Sequence, residues 1–288
     1  MNNNITAVVI AKNEERRLPY IYENFKNFCK IVVFDGGSVD GTRDFCERNG
    51  IQFVRRPDVD PKDGLKWVLE NVVTDYVIHV YCAHFFPCAL LKLFSRVASE
   101  GIRTAVFHDV VIYRYGSVVH RPNFRRVSAG CNFYKKTAID FENNKFLIHD
   151  ELGLRFNAET MIRLPAVDEM SLHLFQDDDC ESFIKKTINY ATTDARQRFD
   201  AGEEVTLLGI VFGPFARFIF AYFRMGSFSK GPKGLIYALL NMIYDFMVKV
   251  ILWELANEVT YHSALKKNSD TKAILFREKG PGSGSGGD

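Results

Sequence analysis

The chain lacks both a strong charge of either sign and a cysteine framework. Its 37 basic and 35 acidic side chains leave a formal charge of +2 over 288 residues. We therefore expect no nucleic-acid partner, because such binding would need a basic excess that only a local patch could supply. The six cysteines form no C-x-x-C pair, and no secretory leader precedes the first apolar run. A reducing cytoplasm is the expected compartment.

Apolar material is plentiful. Hydrophobic residues make up 47% of the chain, and 25 residues are phenylalanine. A disordered protein is excluded, since this content is ample for one large domain with an appendage. The glycine- and serine-rich end, 277–288, is expected to be a flexible tail.

Apolar runs of strand length alternate with helical spacing through the first hundred residues. The runs are "ITAVVIA", "KIVVFD", "IQFVRR" and "DYVIHVY", and each is followed by a stretch such as "PKDGLKWVLENV". Strands that are apolar throughout are buried on both faces. The pattern predicts an α/β fold, a mixed, mostly parallel Rossmann-like sheet with helices on both faces.

A turn rich in glycine and carboxylates follows the second run, in "IVVFDGGSVDGT" (31–42). Ligands bind at the carboxyl ends of parallel strands, so this turn is expected at the mouth of a site. Asp35 offers acceptors, and Gly36 and Gly37 leave the backbone open to a ligand. Ser38 and Asp40 are expected to cap the next helix. A tight turn with a helix cap and no ligand is the alternative.

These residues resemble the opening of family 2 glycosyltransferases. Those enzymes show a V-x-I-x-x-x-N-E strand end and a V-V-D-x-G-S-x-D-G-T turn, and this chain reads "AVVIAKNE" and "VVFDGGSVDGT". The similarity extends over about 5–257 and is closest to bacterial enzymes that extend lipopolysaccharide core or similar envelope glycans. The resemblance implies a GT-A fold, a nucleotide-sugar donor, most simply a UDP-sugar, and inversion at the anomeric carbon.

The resemblance also implies a set of donor-binding residues. The loop after the first strand is expected to run along the nucleoside, and Asp35 to meet the base or ribose. Arg56 or its neighbour Arg55 would approach the nucleotide, and Lys66 the phosphates; solvated surface charge is the alternative for these three. The full donor-binding set is Ala11, Lys12, Asn13, Glu14, Asp35, Gly36, Gly37, Ser38, Arg56, Lys66, Tyr81, Cys82, Ala83 and His84.

The fourth strand departs from the family pattern. The family places an Asp-x-Asp metal site there, but this chain has Tyr81, Cys82 and Ala83. The use of a divalent metal, Mg²⁺ or Mn²⁺, is therefore left open, and cationic groups are candidate replacements. These are His84, Lys12, Lys66 and the arginines of "HRPNFRR" (120–126).

Two other groups of residues resemble metal sites, and the sequence disfavours both. Zinc bound by His79, Cys82, His84 and Cys88 is disfavoured, because strand alternation turns His79 away from Cys82 and His84. The acidic "QDDD" (176–179) precedes a helical pattern, so helix N-terminal charge explains it better than a metal site.

The resemblance places the catalytic base in "FLIHDELGL". His149 and Asp150 take the position of a family His-Glu pair, with Asp150 as the base and Glu151 as the neighbouring alternative. A solvated turn is the competing interpretation. His173 falls on a family histidine beneath the donor phosphates that often joins the metal shell, and a core histidine is the alternative.

The segment 205–257 is apolar and aromatic, but Gly213, Pro214 and Arg217 interrupt its first run. A spanning helix would be costly there, so helices lying in the membrane interface are expected. A helical pair that closes the core, or a homodimer interface, is the alternative. Membrane contact would bring the site to a lipid-linked acceptor on the cytoplasmic face of the cell membrane.

These patterns together predict a peripheral membrane glycosyltransferase. Its GT-A domain would cover 1–175, with a donor half at 5–98 and an acceptor half at 99–175, followed by a helical region at 176–276. The expected partners are a nucleotide sugar, a glycan or lipid-linked acceptor and the membrane surface. A non-catalytic nucleotide- or glycan-binding partner protein is the alternative. A nucleotidyltransferase fits less well, because no glycine-rich basic phosphate loop follows the first strand.

Overall fold

The first four apolar runs form four strands of one sheet in a computed structural model, which describes residues 2–57, 59, 61–120, 130–139, 141, 160–176 and 179–278. The strands are β1 (Asn2–Ala11), β2 (Cys29–Asp35), β3 (Gln52–Arg55), β4 (Tyr76–Tyr81), β5 (His84–Phe85), β6 (Ala105–His108), β7 (Val110–Arg114), β8 (Ser117–His120), β9 (Gly130–Lys135), β10 (Met161–Arg163) and β11 (Leu172–Gln176). The α-helices are α1 (Leu18–Phe25), α2 (Thr42–Arg48), α3 (Pro61–Glu70), α4 (Cys88–Glu100), α5 (Cys180–Asp200), α6 (Leu207–Ile219), α7 (Gly231–Ala256) and α8 (Tyr261–Glu278). Single turns of 3₁₀-helix lie at Lys136–Ala138, Asp168–Met170 and Ser227–Lys230, and a π-helical turn, Phe220–Arg224, follows α6.

The main sheet has the order β10-β6-β9-β4-β1-β2-β3. Strands β1 to β4 are mutually parallel where they pair, and β9 lies antiparallel between β4 and β6. Alternate residues of β1 enter separate apolar clusters, Ala7 and Val9 with α1 and α4, and Val8 with α3. Helices therefore cover both faces, which confirms the predicted α/β fold with a mixed, mostly parallel sheet.

A smaller sheet, β5-β11-β7-β8, stands beside the main one. The stretch "HDVVIYRYGSVVH" (108–120) predicts two strands that form a hairpin around Tyr115-Gly116-Ser117. β7 and β8 form this hairpin, and the positive φ angles of Tyr115 and Gly116, 50° and 66°, match a two-residue turn of the type that suits strand twist. β11 adds in parallel to β7 and antiparallel to β5. The small sheet thus unites segments that are far apart in the sequence.

The sequence predicts helix N-terminal residues for two helices, α5 and α2, and the structure treats the two predictions differently. Asp179 is the N-cap of α5, and its side chain accepts a hydrogen bond from the Ser182 amide at 2.8 Å. This confirms the interpretation of the acidic run as helix N-terminal charge for Asp179. Gly41 occupies the N-cap position of α2 without a side-chain cap, so neither Ser38 nor Asp40 is its N-cap residue. Asp40 nevertheless accepts from the amide of Thr42, the first residue of α2, at 3.1 Å, whereas Ser38 binds the loop after β1.

The C-terminal helices pack on one another and on the small sheet. Ala191 and Ala195 of α5 meet Val248 and Leu252 of α7 in a small buried cluster. α6 and α7 form a helical hairpin, whose tip contacts the small sheet through the Ser227 hydroxyl, a donor to the Val119 carbonyl at 3.2 Å. The helical region is therefore joined to the rest of the chain by side-chain contacts as well as by sequence.

Candidate active site

Two loops at the carboxyl edge of the main sheet are joined by hydrogen bonds. The Asn13 amide donates to the Ser38 hydroxyl at 2.7 Å, and the Asn13 side-chain oxygen accepts from the Val39 amide at 2.8 Å. The Glu14 amide donates to the Thr42 hydroxyl at 2.8 Å. Asn13 holds a positive φ of 57°, which asparagine tolerates better than most residues. The loop after β1 and the loop after β2 therefore form one unit.

Asp35 is the centre of that unit. Its side chain is 1% exposed and accepts from the Gly37 amide at 2.8 Å, the Ser38 amide at 3.0 Å and Arg55 Nη1 at 2.9 Å. The Ser38 hydroxyl is a further donor. Burial alone would raise the pKa of Asp35, but the bonds from Ser38, Gly37 and Arg55 outweigh it and lower the pKa. Asp35 is thus ionised at neutral pH.

The acceptor capacity of Asp35 is largely used within the chain. A carboxylate offers about four lone-pair directions, and four donors already point at this one. A base or ribose hydroxyl would therefore replace one of them. Arg55 is the donor most free to move, since its side chain is 65% exposed.

Glycine is required at one position of the turn. Gly37 has φ of 102°, and a Cβ there would lie 2.7 Å from Arg55 Nη2. At Gly36 the nearest atom to a Cβ would be the Ala11 carbonyl oxygen at 3.5 Å, an ordinary contact. Gly37 therefore lets the Arg55 guanidinium lie against the turn, whereas Gly36 has room for a methyl group.

A cleft of about 1200 Å³ opens beside the joined loops. Six of the predicted donor-binding residues line it: Lys12, Asn13, Glu14, Cys82, Ala83 and His84. The other eight do not form its wall: Ala11, Asp35, Gly36, Gly37, Ser38, Arg56, Lys66 and Tyr81. The structure thus brings the β1 loop and the turn after β4 together across one cavity.

The wall also carries residues that the sequence analysis missed. These are Glu15, Arg16, Arg17, Tyr20, Asp40, Phe85, Phe175, Ser182 and Lys186. The paired arginines of "NEERR" were a local signal for this basic wall. Phe85, Phe175 and Lys186 had none, because they reach the cleft only through the pairing of β5 with β11 and the start of α5.

The acidic groups of the cleft are engaged inside the loops. Glu14 binds Arg17 through two hydrogen bonds of 2.7 Å. Glu15 accepts from the Gly41 amide at 3.2 Å, and Asp40 accepts from the Glu15 amide at 3.2 Å. Lys12 and Arg16 are exposed on the wall. The hydrogen bonds leave Glu15 and Asp40 charged, but four cations, Lys12, Arg16, Arg17 and Lys186, face three carboxylates on this wall, which leaves it with a formal charge of +1.

The turn after β4 does not provide the ligands of a divalent metal. Tyr81, Cys82 and Ala83 carry no carboxylate, and burial raises the pKa of the Cys82 thiol well above its usual range. Among the described residues, no group of three or more His, Cys, Asp and Glu side chains is arranged to hold a metal ion. The family metal does not fit these side chains, since hard divalent ions prefer carboxylate oxygens.

His84 stabilises this turn as a neutral group. Its Nδ1 accepts from the Tyr81 amide at 3.3 Å. Burial, followed by the nearby His79 and His108, lowers the pKa of His84 to about 3. His84 therefore offers hydrogen bonds at neutral pH, and the positive charge expected from it is not available.

A cluster of buried polar side chains lies beneath the turn. The sequence favours a buried or pocket-lining role over zinc binding for His79, but His108 and Asn132 were not singled out. Burial lowers the pKa of His79 and of His108 to about 4 each. The Asn132 amide donates to the His79 carbonyl at 2.8 Å. Within the described part of the chain, both ring nitrogens of His79 and the Nε2 of His108 have no hydrogen-bond partner. Polar residues inside apolar strands were the available signal.

His173 lies on β11, and both of its ring nitrogens have protein partners. Nδ1 is 3.0 Å from the Tyr113 hydroxyl, and Nε2 is 3.0 Å from the Asp168 carbonyl oxygen. A metal on either nitrogen would replace one of these partners, so the metal role of His173 stays a prediction. His149, Asp150 and Glu151 lie outside the described residues, as do Arg121 to Arg126.

Comparison with known proteins gives one curated relative of interest. The lipopolysaccharide core biosynthesis glycosyltransferase LpsC of Rhizobium meliloti is 24% identical over 262 residues, which cover 87% of this chain and 92% of that protein. This chain is similar to a known glycosyltransferase. The similarity confirms the resemblance found in the sequence. No protein-family model matches the chain.

Two solved structures are also similar. S. aureus TarS 1-349 in complex with UDP-GlcNAc has a TM-score of 0.47 and 14% identity, covering 90% of this chain and 93% of that one. Glucosyl-3-phosphoglycerate synthase from Mycobacterium tuberculosis, in complex with Mn²⁺, UDP and its product, has a TM-score of 0.44 and 15% identity, covering 71% and 82%. Both TM-scores are below 0.5, and the fold assigned to this chain follows from its own strand order.

Proposed function

We propose that this chain is an inverting glycosyltransferase that transfers a sugar from a nucleotide-sugar donor, with a UDP-sugar as the first candidate, to a lipid-linked or envelope glycan. The observation that carries the proposal is the unit of two joined loops at the carboxyl edge of the sheet, beside a cationic cleft. Similarity to a lipopolysaccharide core glycosyltransferase over 87% of the chain supports the acceptor class.

The nucleoside would lie on the joined loops. Asp35 is ionised and held in place, so a ribose hydroxyl or base amide can donate to it by displacing Arg55. Preorganisation of this kind reduces the entropy lost on binding. The released Arg55 guanidinium would remain near the nucleotide.

The diphosphate would face the cleft wall. In the transfer, the acceptor oxygen forms a bond to the anomeric carbon while the bond from that carbon to the diphosphate oxygen breaks. The negative charge that develops on the leaving group needs compensation. Lys12 and Arg16 are exposed on this wall, while His84 is neutral and can contribute only a hydrogen bond. We assign the charge to Lys12 and Arg16, which makes the reaction metal-independent.

Asp150 is the proposed base, with Glu151 as the alternative and His149 beside it. The carboxylate takes the proton of the acceptor hydroxyl as that oxygen attacks from the face opposite the diphosphate. Positioned proton transfer contributes about 10²- to 10⁴-fold to the rate. The chain would act at the cytoplasmic face of the cell membrane, where a lipid-linked acceptor lies.

The test measures UDP release from UDP-glucose and UDP-N-acetylglucosamine with EDTA or with Mn²⁺. We expect release in EDTA, and a loss of about 10²- to 10⁴-fold in Asp150→Asn. Glu151→Gln tests the alternative base: it should release UDP like wild type if Asp150 is the base, and a loss confined to Glu151→Gln would transfer the role to Glu151. The UDP-induced rise in melting temperature should be the same in both variants. Release that requires Mn²⁺ would reject the metal-independent mechanism.

A non-catalytic role is the second candidate, and the absence of carboxylates from the turn after β4 favours it. This candidate predicts that UDP-sugars raise the melting temperature although no UDP is released with either additive. If no nucleotide sugar shifts the melting temperature of the wild-type chain, both the enzyme and a nucleotide-binding partner protein are rejected, and only the glycan-binding form of the alternative is left.

A further inference from the structure

An exposed apolar stripe extends along α6 and the π-helical turn. Its residues recur every three or four positions, so they share one helix face. Their exposed fractions are 69% for Leu208, 64% for Phe212 and 56% each for Phe215, Ile219 and Phe223. Single exposed apolar residues need no explanation, but a continuous stripe of this size indicates an interaction surface.

The charge of the same segment points to its partner. Between 206 and 234 the chain has Arg217, Arg224, Lys230 and Lys233 and no acidic residue. A second copy of the chain on this surface would bring like charges together. An anionic lipid surface complements both properties, because basic amphipathic helices insert apolar residues while their cations meet lipid phosphates.

Both C-terminal segments are long and apolar enough to cross a membrane. Leu207–Arg224 and Ser227–Ala256 meet this criterion on length and composition alone. Of their most apolar stretches, 11% and 28% are buried. A spanning hairpin would place its tip, near residue 226, on the far side of the bilayer. The contacts of that tip therefore decide between spanning and lying flat.

The tip is bound to the small sheet. Besides the bond from Ser227 to β8, the His120 ring lies 3.1 Å from the Met225 carbonyl oxygen, and Lys233 Nζ donates to the Ser117 hydroxyl at 2.6 Å. A Cβ on Gly234 would lie 1.9 Å from the Ser227 carbonyl oxygen, so this turn is tightly packed. The small sheet also borders the cleft and cannot cross a bilayer.

The opposite end of the hairpin is bound to α5. Val205, just before α6, packs on the cluster that Val248 and Leu252 of α7 form with α5. Midway along α7, the Tyr244 hydroxyl also donates to Asp194 of α5 at 3.0 Å. α5 carries seven charged residues: Glu181, Lys185, Lys186, Asp194, Arg196, Arg198 and Asp200. A helix with this composition stays out of the hydrocarbon. Both ends of α6 and α7 are thus held on the same side.

We infer that the α6–α7 hairpin lies flat on an anionic bilayer, inserts the stripe of Leu208, Phe212, Phe215, Ile219 and Phe223, and crosses the membrane nowhere. The inference rests on the proposed function only for its purpose, which is to hold the cleft next to a lipid-linked acceptor. Lipid binding itself can be measured without turnover.

The first experiment measures flotation of the full chain with vesicles of phosphatidylcholine containing phosphatidylglycerol. We expect F212S/F215S to bind about 100-fold more weakly, at about tenfold for each phenylalanine. The matched control L265S/I274S removes two residues of α8 that are 50% and 56% exposed, and should bind like wild type. R224Q/K230Q should weaken binding only when phosphatidylglycerol is present.

The second experiment separates a flat hairpin from a spanning one. Ser229→Cys is made in a chain in which the exposed Cys88 and Cys180 are changed to serine, and the protein is added to preformed vesicles. A flat hairpin leaves residue 229 reactive to an impermeant maleimide from outside, and alkaline carbonate releases the chain. Protection of residue 229 together with resistance to carbonate would overturn the inference.

Melting-temperature shifts with UDP, recorded without vesicles, keep the two proposals distinct. A chain that binds UDP but floats no better than F212S/F215S overturns the membrane inference alone. A chain that floats as expected but binds no nucleotide supports this inference and overturns the proposed function.

Discussion

Replacing Gly37 by alanine should destabilise the chain and weaken nucleotide binding together. Left-handed backbone costs an L-residue about 1–2 kcal/mol. Gly37 has φ of 102°, and the added Cβ would lie 2.7 Å from Arg55 Nη2, so the guanidinium must also leave Asp35. Because the Arg55 side chain is 65% exposed, loss of that pair adds only about 0–1 kcal/mol. We expect the free energy of unfolding to fall by about 2 kcal/mol in total.

Urea or thermal unfolding measures this cost, with two other glycines as controls. A loss of about 2 kcal/mol corresponds to about 3–4 °C in melting temperature for a chain of this size, at about 2.1 cal/mol/K of unfolding entropy per residue. Gly50→Ala should cost about half as much, because Gly50 has φ of 63° but no atom within 4 Å of its Cβ position. Gly36→Ala should be nearly neutral, within about 0.5 kcal/mol. Equal losses at Gly36 and Gly37 would refute the reasoning.

The double variant G37A/R55A tests the contact itself. If the methyl group acts partly by displacing Arg55, the two changes should cost less together than the sum of the single changes. UDP should then raise the melting temperature of wild type but not of Gly37→Ala, since the turn that holds Asp35 has moved. A normal shift with UDP in Gly37→Ala would mean that this turn does not bind the nucleoside.

Three further predictions concern other parts of the chain. Asp35→Asn should lose about 1–3 kcal/mol of stability at pH 7. Its deficit should shrink as the pH falls from the ordinary aspartate pKa of about 3.9 through the lowered pKa of Asp35, because the ionised carboxylate stabilises only the folded state there, and melting curves from pH 7 to about 2 will show this. Stability should also fall below pH 6.5, by about 2 kcal/mol at pH 5 for each imidazole with a pKa near 4, because unfolding lets it bind a proton. His79→Phe should remove the part of this loss that His79 causes, about 2 kcal/mol at pH 5. Gly234→Ala should lower the melting temperature more than Gly50→Ala, because its Cβ would meet backbone at Ser227 and not open space; an equal effect would contradict the packing of the hairpin tip.

The four parallel strands of the main sheet and one hairpin of the small sheet were predictable because their patterns are local. The runs chosen from apolar content match β1 to β4, and the predicted Tyr115-Gly116 hairpin matches β7 and β8. Each of these depends on residues within about ten positions of one another. The turn at Asp35 was predictable for the same reason, because glycines and aspartates that directly follow an apolar strand are typical of a tight turn.

The pairing that completes the small sheet and the burial of the imidazoles were not predictable in this way. β5 has only two residues, too few for a periodic signal, and it exists because β11 pairs with it. His79 and His108 appear in the sequence as polar interruptions of apolar strands, and only the packing of the surrounding strands lowers the pKa of each. The cleft wall at Phe175 and Lys186 likewise depends on where distant segments meet.

The pairing of β11 with β5 also sets an order for biosynthesis. About 90 residues separate these strands, which is on the order of 5–20 s of translation. During that interval the β7–β8 hairpin has an unpaired edge, which invites association with other chains until β11 arrives. The α6–α7 hairpin, which we infer to bind lipid, is translated later still. The strand that completes the small sheet therefore leaves the ribosome before the segment that would draw the nascent chain to the membrane.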